Sequence, residues 1–172
     1  MALTLGAAIL LSLLIGARAM MKSAPRGPSN QLDELGPLPS FELVDQHGIT
    51  WSDQDLRGSV TVANFIFTRC PTICPVFTLK MRRVLEQTEE EIQLVSFSVD
   101  PEHDTPEVLR AYIEEQGAAS ARWTFLTGDY EAIRKTVEDG LKISMVRRGV
   151  DEEGVPDIVH GTHFVLIDQK GT

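Results

Sequence analysis

Two prolines four residues apart decide how the middle of this chain can fold. Val60 to Phe67 is a short apolar run rich in β-branched and aromatic side chains, the composition of a buried strand. Pro71 and Pro75 follow at once. Proline has no N–H to donate and cannot continue a central strand, yet it suits a turn or the first turn of a helix, where that N–H would go unpaired anyway. Downstream, Val76, Leu79, Met81, Val84 and Leu85 recur at helical spacing, with Lys80, Arg82 and Arg83 between them. That predicts a helix with the five apolar residues inward. A strand must therefore give way to a helix within the segment Thr68 to Pro75.

The same junction holds Cys70 and Cys74, both cysteines of the 172-residue chain. With one in the first helical turn and the other a turn earlier, the sulfurs can converge. Unpaired N–H groups and the dipole at a helix start favour thiolate over thiol, so a pair of low-pKa thiolates is expected, able to close a disulfide or to hold a soft metal ion. Free cysteine is also a common small hydrophobe of protein cores. The tight spacing, at a junction rather than inside a strand, weighs against mere packing. Arg69 reads as a surface cation or as a neighbour that stabilises a thiolate.

Around the junction, Phe41 to Asp45 alternates as a short strand, Gln46-His47-Gly48 turns, and Ile49 to Trp51 returns as the second arm of a hairpin. Ser52 can cap a short helical segment to Leu56, ended by Gly58. Ile92 to Val99 is another buried strand. Thr105 and Pro106 start a helix with Leu109, Tyr112 and Ile113 inward and Gly117 as its stop. Arg122 to Leu126 reads as a strand, Asp129 caps a helix to about Glu138, Ile143 to Val146 is a strand before an acidic loop from Asp151 to Asp157, and His163 to Ile167 is the last strand. Strands alternating with helices predict an α/β sheet covered on both sides. A cysteine pair between the first central strand and its helix is the arrangement of a thioredoxin-like fold. No nucleotide-binding glycine pattern occurs. A net charge of −9 without a clustered basic surface argues against nucleic acid as a partner.

Ala2 to Ala17 is an uncharged apolar run, followed from Ser23 by the linker-like Ser-Ala-Pro-Arg-Gly-Pro-Ser-Asn. The expected organisation is a signal peptide or membrane anchor at 1–21, a linker at 22–37 and one domain at 38–172. The run is shorter than the roughly 20 residues usual for a spanning helix. Ala17-Arg18-Ala19 fits a small-x-small cleavage site. Arg18, Lys22 and Arg26 lie after the run, which on the positive-inside tendency alone would leave the domain in the cytoplasm.

The segment Phe65 to Pro75 resembles the Cys-x-x-x-Cys-Pro signature of the Sco/SenC family, the copper proteins that assist assembly of the CuA centre of cytochrome c oxidase. Phe97-Ser-Val-Asp-Pro-Glu-His-Asp-Thr-Pro-Glu-Val-Leu-Arg-Ala-Tyr112 and His160-Gly-Thr-His-Phe-Val-Leu-Ile-Asp168 agree with it, so the resemblance runs from about Leu38 to Thr172. It implies a thioredoxin-like fold with a central mixed sheet, copper as cofactor, an oxidase subunit as copper acceptor, and an inner-membrane-anchored or exported domain facing the periplasm. On the residues alone, His160 and His163 are both candidate ligands, and His160 is as readily a polar loop residue. The family's ligand histidine stands eight residues before the aspartate that ends the strand. Counted back from Asp168 this is His160, so the resemblance implies copper held by Cys70, Cys74 and His160. His163 is then a supporting or surface residue, His103 an exposed loop residue and His47 part of a turn.

Two thiolates and an imidazole suit copper by softness, whereas zinc normally takes a fourth ligand. Both cysteines must be reduced to bind metal, which outside the cytosol implies a thiol-reducing partner. The rival function is a thiol–disulfide oxidoreductase that reduces the cysteines of the copper acceptor through Cys70 and Cys74 and is indifferent to His160. A peroxidase with one nucleophilic cysteine beside Arg69 is the weakest option, because the cysteine is doubled. Two positions depart from the family pattern: Val159 stands where an acid usually precedes the ligand histidine, and Thr72 where an acid is common between the cysteines. The family also continues past the turn at Asp168 to Thr172 with a pairing strand and a closing helix. The chain therefore reads as C-terminally truncated, with an exposed sheet edge.

Overall fold

The computed structural model describes residues 32–88, 91–152 and 154–172. The expected anchor at 1–21 and the linker as far as residue 31 lie outside the described residues. Among the described residues, no helix is long and apolar enough to cross a membrane.

Strands β1 (Glu42–Asp45) and β2 (Thr50–Ser52) form the expected hairpin. Asp45 closes its turn by accepting the N–H groups of His47 at 2.7 Å and Ile49 at 2.8 Å, and Gly48 supplies the left-handed residue at φ 78°. Ser52 caps the helical turn Asp53–Leu56 in a reciprocal box with Asp55. Strand β3 (Val60–Ile66) leads through the cysteine turn into helix α1 (Ile73–Gln87), which returns the chain to β4 (Ile92–Ser98). Strands β3 and β4 pair in parallel from Val60 opposite Ile92 to Ile66 opposite Ser98, so their C-terminal ends finish level. Helix α2 (Pro106–Glu115), capped by Thr105 and with Pro106 in its first turn, leads to β5 (Trp123–Thr127), parallel to β4.

Asp129 caps helix α3 (Tyr130–Arg134), which widens into a π turn at Lys135–Gly140. There the Thr136 hydroxyl donates to the Ala132 carbonyl at 2.8 Å and competes with the backbone ladder. Strands β6 (Met145–Val150) and β7 (Pro156–His160) form a separate antiparallel hairpin, and β8 (Val165–Ile167) rejoins the sheet antiparallel to β3. The sheet order is β2-β1-β5-β4-β3-β8: three parallel strands in the middle and antiparallel strands outside. This is the mixed, helix-flanked thioredoxin-like arrangement that the strand and helix pattern predicts.

The core lies on the parallel strands. Phe97 stacks on Phe65 and meets Phe41 edge-on, while Trp123 stacks on Phe125. A polar line crosses this core: the Trp123 indole N–H donates to Ser96 Oγ at 2.9 Å, and Ser96 Oγ donates to Asn64 Oδ1 at 2.6 Å.

Two local expectations are corrected. The stretch read as an acidic loop from Asp151 to Asp157 is a tight turn as far as Val155, in which Gly154 N–H donates to the Asp151 carbonyl, but its last two residues, Pro156 and Asp157, already belong to β7, a strand the sequence reading left out. Pro156 and Ile158 are buried while Asp157 and Val159 are not, a two-residue period masked in the sequence by the proline and the aspartate. Helix α1 turns a different face inward. It buries Cys74, Thr78 and Met81, whereas Val76 and Leu79 are 46% and 45% exposed. Thr78 can occupy an inner position because its hydroxyl shares a 2.7 Å hydrogen bond with the Tyr112 hydroxyl.

Candidate functional site

The site forms where β3 and β4 end side by side. Past β3 the chain turns sharply, and the Cys70 N–H donates back to the Phe67 carbonyl at 3.1 Å. Thr72, at the start of α1, makes no side-chain cap, so the first backbone N–H groups of the helix remain available. They converge on the Cys70 sulfur. A hydrogen bond from the Cys74 thiol, together with the N–H groups of Thr72, Cys74 and Ile73, lowers the Cys70 pKa to about 5 against the opposing effect of burial. Cys74 moves the other way. Its proton is held by Cys70, and burial and the negative fields of Cys70 and Asp104 push its thiol up. Both cysteines are free and buried, at 7% and 1% exposure.

The structure thus replaces the expected pair of low-pKa thiolates with one thiolate and one thiol sharing a proton. One helix start stabilises one anion, and a second negative charge in contact with the first is disfavoured.

Behind the cysteine turn stand two fully buried carboxylates that the sequence did not single out. Asp104 accepts the Thr68 N–H, the Thr68 hydroxyl at 2.6 Å and the Ser98 hydroxyl at 2.6 Å, and so fixes the first residue of the turn. Burial raises its pKa, with the Ser98 and Thr68 hydrogen bonds opposing. Asp100 receives Arg69 through Nε at 3.2 Å and Nη2 at 2.7 Å, and Arg147 from β6 on its other oxygen. Arg69 is therefore not a free surface cation but the ion-pair partner of a buried carboxylate. Its remaining Nη1 donates to the Gly154 carbonyl at the hairpin turn. A signal for these carboxylates was present: parallel strands that end level place the residues after each strand against one another, so the Asp-x-x-x-Asp after β4 had to face the cysteine turn.

His160 closes β7 rather than sitting in a loop at the entrance to a strand. Its half-buried ring meets Phe67 edge-on at 6.0 Å between centroids. Nδ1 lies 3.1 Å from the Gly161 carbonyl, which can only accept, so this nitrogen carries the proton and Nε2 keeps its lone pair. Burial lowers the pKa of the ring, and the nearby Cys70 has an opposing effect. Cys70 and His160 both line a groove of about 400 Å³ between the cysteine turn and the hairpin, and Cys74, His160 and His163 border the space beside it. The sequence-selected residues are brought to one place, though among the described residues no three His, Cys, Asp or Glu side chains already stand in metal-holding geometry. His163 is exposed, His103 is half-buried in the turn after β4, and His47 is exposed in the β1–β2 turn.

Comparison with known proteins places this arrangement. The pattern of the SCO1/SenC family matches residues 31–172. An SCO2-like protein of Rickettsia typhi is 38% identical over 136 residues, covering 77% of this chain and 65% of the relative, a little under two thirds of its length. The copper-bound structure of ScoI from Bradyrhizobium japonicum aligns with a TM-score of 0.70 at 26% identity, over 79% of this chain and 85% of that one. The structure of BsSco, a member of the Sco family of cytochrome c oxidase assembly proteins in which a disulfide switch was identified, aligns with a TM-score of 0.66 at 32% identity over 78% of each chain. The cysteine turn, the two carboxylates behind it and the histidine hairpin all fall inside the matched span, and the chain belongs to the SCO1/SenC family.

Proposed function

We propose that this protein binds copper through Cys70, Cys74 and His160 and carries it to the oxidase subunit that holds CuA. The observation that supports this most is that Cys70, with its lowered pKa, and the His160 imidazole line one groove, while Cys74, hydrogen-bonded to Cys70, borders the space beside it with His160. The donor set fits the metal: copper favours soft sulfur ligands and accepts imidazole, and these groups are anionic or neutral as a ligand must be, with one proton left to lose at Cys74. A thiol-reducing partner keeps both sulfurs available, and the N-terminal run holds the domain at the inner membrane, facing the periplasm. Alanine at Cys70, Cys74 or His160 is expected to abolish stoichiometric copper binding by purified protein. Tight binding retained in all three variants refutes the assignment.

The unequal cysteines also favour a second activity, reduction of the acceptor's own disulfide. The Cys70 thiolate attacks one acceptor sulfur, forming a mixed disulfide and releasing the other as thiolate. Cys74 then loses its proton and attacks Cys70, closing the Cys70–Cys74 disulfide and freeing the second acceptor sulfur. The dithiol is oxidised as the acceptor is reduced. His160→Ala separates the two readings: it removes copper binding and leaves this exchange intact.

A further inference from the structure

Three separate parts of the chain meet on one carboxylate. Asp100, fully buried at the end of β4, bonds Arg69 from the cysteine turn and Arg147 from the hairpin strand β6. Arg69 adjoins Cys70 in sequence, and Arg147 lies on the hairpin whose other strand ends in His160. Each arginine makes one further bond that tightens the assembly: Arg69 to the Gly154 carbonyl at 3.2 Å, Arg147 to Glu102 at 2.6 Å. Strands β6 and β7 form a sheet of their own, apart from the central one. Where the hairpin stands over the cysteine turn is therefore set by side chains, among them the two guanidinium groups that hold the two oxygens of one buried carboxylate through directional, charge-assisted hydrogen bonds.

We infer that Asp100 is a positioning residue, which through Arg69 and Arg147 fixes the His160 hairpin against the Cys70 turn and so sets the reach of the imidazole toward the two sulfurs. This inference rests on the copper reading of the site for its functional meaning, but the clamp itself can be tested without metal. Arg147 is the position to change. Its side chain is 33% exposed, so truncation leaves only part of the carboxylate's neutralisation missing while Arg69 stays.

The experiment compares wild type with Arg147→Ala, Arg147→Lys and, as a control from the same strand, the exposed Arg148→Ala. Metal-free reduced protein is first treated with iodoacetamide at a temperature where circular dichroism shows every variant folded. Arg147→Ala is expected to expose Cys70 and react several-fold faster, Arg147→Lys to fall between, and Arg148→Ala to match wild type. Cu(II) is then titrated and the nitrogen coupling from His160 followed by electron paramagnetic resonance. In Arg147→Ala that coupling is expected to weaken, with affinity down about tenfold or more, while the sulfur-to-copper absorption persists. Alkylation and nitrogen coupling both unchanged in Arg147→Ala overturn the inference, as does a lysine variant no better than alanine. Wild-type protein that binds no Cu(II) strikes the copper reading alone, since the alkylation rates still decide the clamp.

Discussion

Replacing Cys74 with alanine tests the unequal pair directly, because it leaves Cys70 as the lone cysteine. With the full set of donors Cys70 titrates at about 5. An ordinary thiol titrates near pH 8.5, so the site stabilises the anion by about 5 kcal/mol at about 1.4 kcal/mol per unit. The Cys74 thiol is the largest contributor, and the N–H groups of Thr72, Ile73 and Cys74 supply the rest. A hydrogen bond to a charged group is worth about 1.5–3 kcal/mol, so its loss is expected to raise the midpoint to about 6–7. The assay is the pH dependence of iodoacetamide alkylation, checked by thiolate absorbance in the ultraviolet. A midpoint that stays near 5, or drops, would refute the assignment of Cys74 as donor. A midpoint near 8.5 would show that the helix N–H groups contribute nothing.

The same shift carries a sign for stability. A thiol whose folded pKa lies below its unfolded value adds stability in full above about pH 8.5 and loses it as the pH falls through the folded value of about 5. Between those limits the reduced protein should gain up to about 1.4 kcal/mol per pH unit over Cys70→Ser, measured by urea denaturation under reducing conditions. Asp104→Ala strands the Thr68 N–H and the Thr68 and Ser98 hydroxyls and should cost about 2–4 kcal/mol in the same assay. Gly161→Ala would bring a Cβ within 2.9 Å of Ile143 Cγ2, and a loss of about 1–3 kcal/mol is expected. Ile143→Ala in the same molecule should recover part of that loss, read as a coupling in a double-mutant cycle.

What local chemistry decides was legible in the sequence. The strand that stops at a pair of prolines, the caps at Ser52, Thr105 and Asp129, and the Asp45 turn all follow from residues within a few positions of one another. What escaped depends on partners far along the chain. Thr78 lies outside the apolar set that helical spacing selects, but Tyr112, 34 residues on, makes it an inner residue, and Val76 and Leu79 face out. Nothing local marks Asp100, whose partners Arg69 and Arg147 reach it from 31 and 47 residues away. The cysteines were found by spacing, yet spacing is symmetric and says nothing of which sulfur keeps the proton. That depends on which one the helix N–H groups surround. His160 was located through the family motif, and β7, the strand that carries it, was concealed by Pro156 and Asp157.

The line of Trp123, Ser96 and Asn64 through the core acts as a gauge between neighbouring strands. Sliding β4 by a single position against β3 would flip Ser96 to the opposite side and strand an amide and an indole N–H in an apolar interior, at roughly 1–3 kcal/mol for each orphan. Strand alignment is thus locked deep in the sheet, by side chains that do not line the groove. Because Asn64 faces Ser96 only when Ile66 also faces Ser98, a choice made at the centre dictates that the turn bearing Cys70 and the acids following β4 emerge at one height. Conservative changes in that buried trio should therefore be felt at the rim of the groove, although none of the three side chains is part of it.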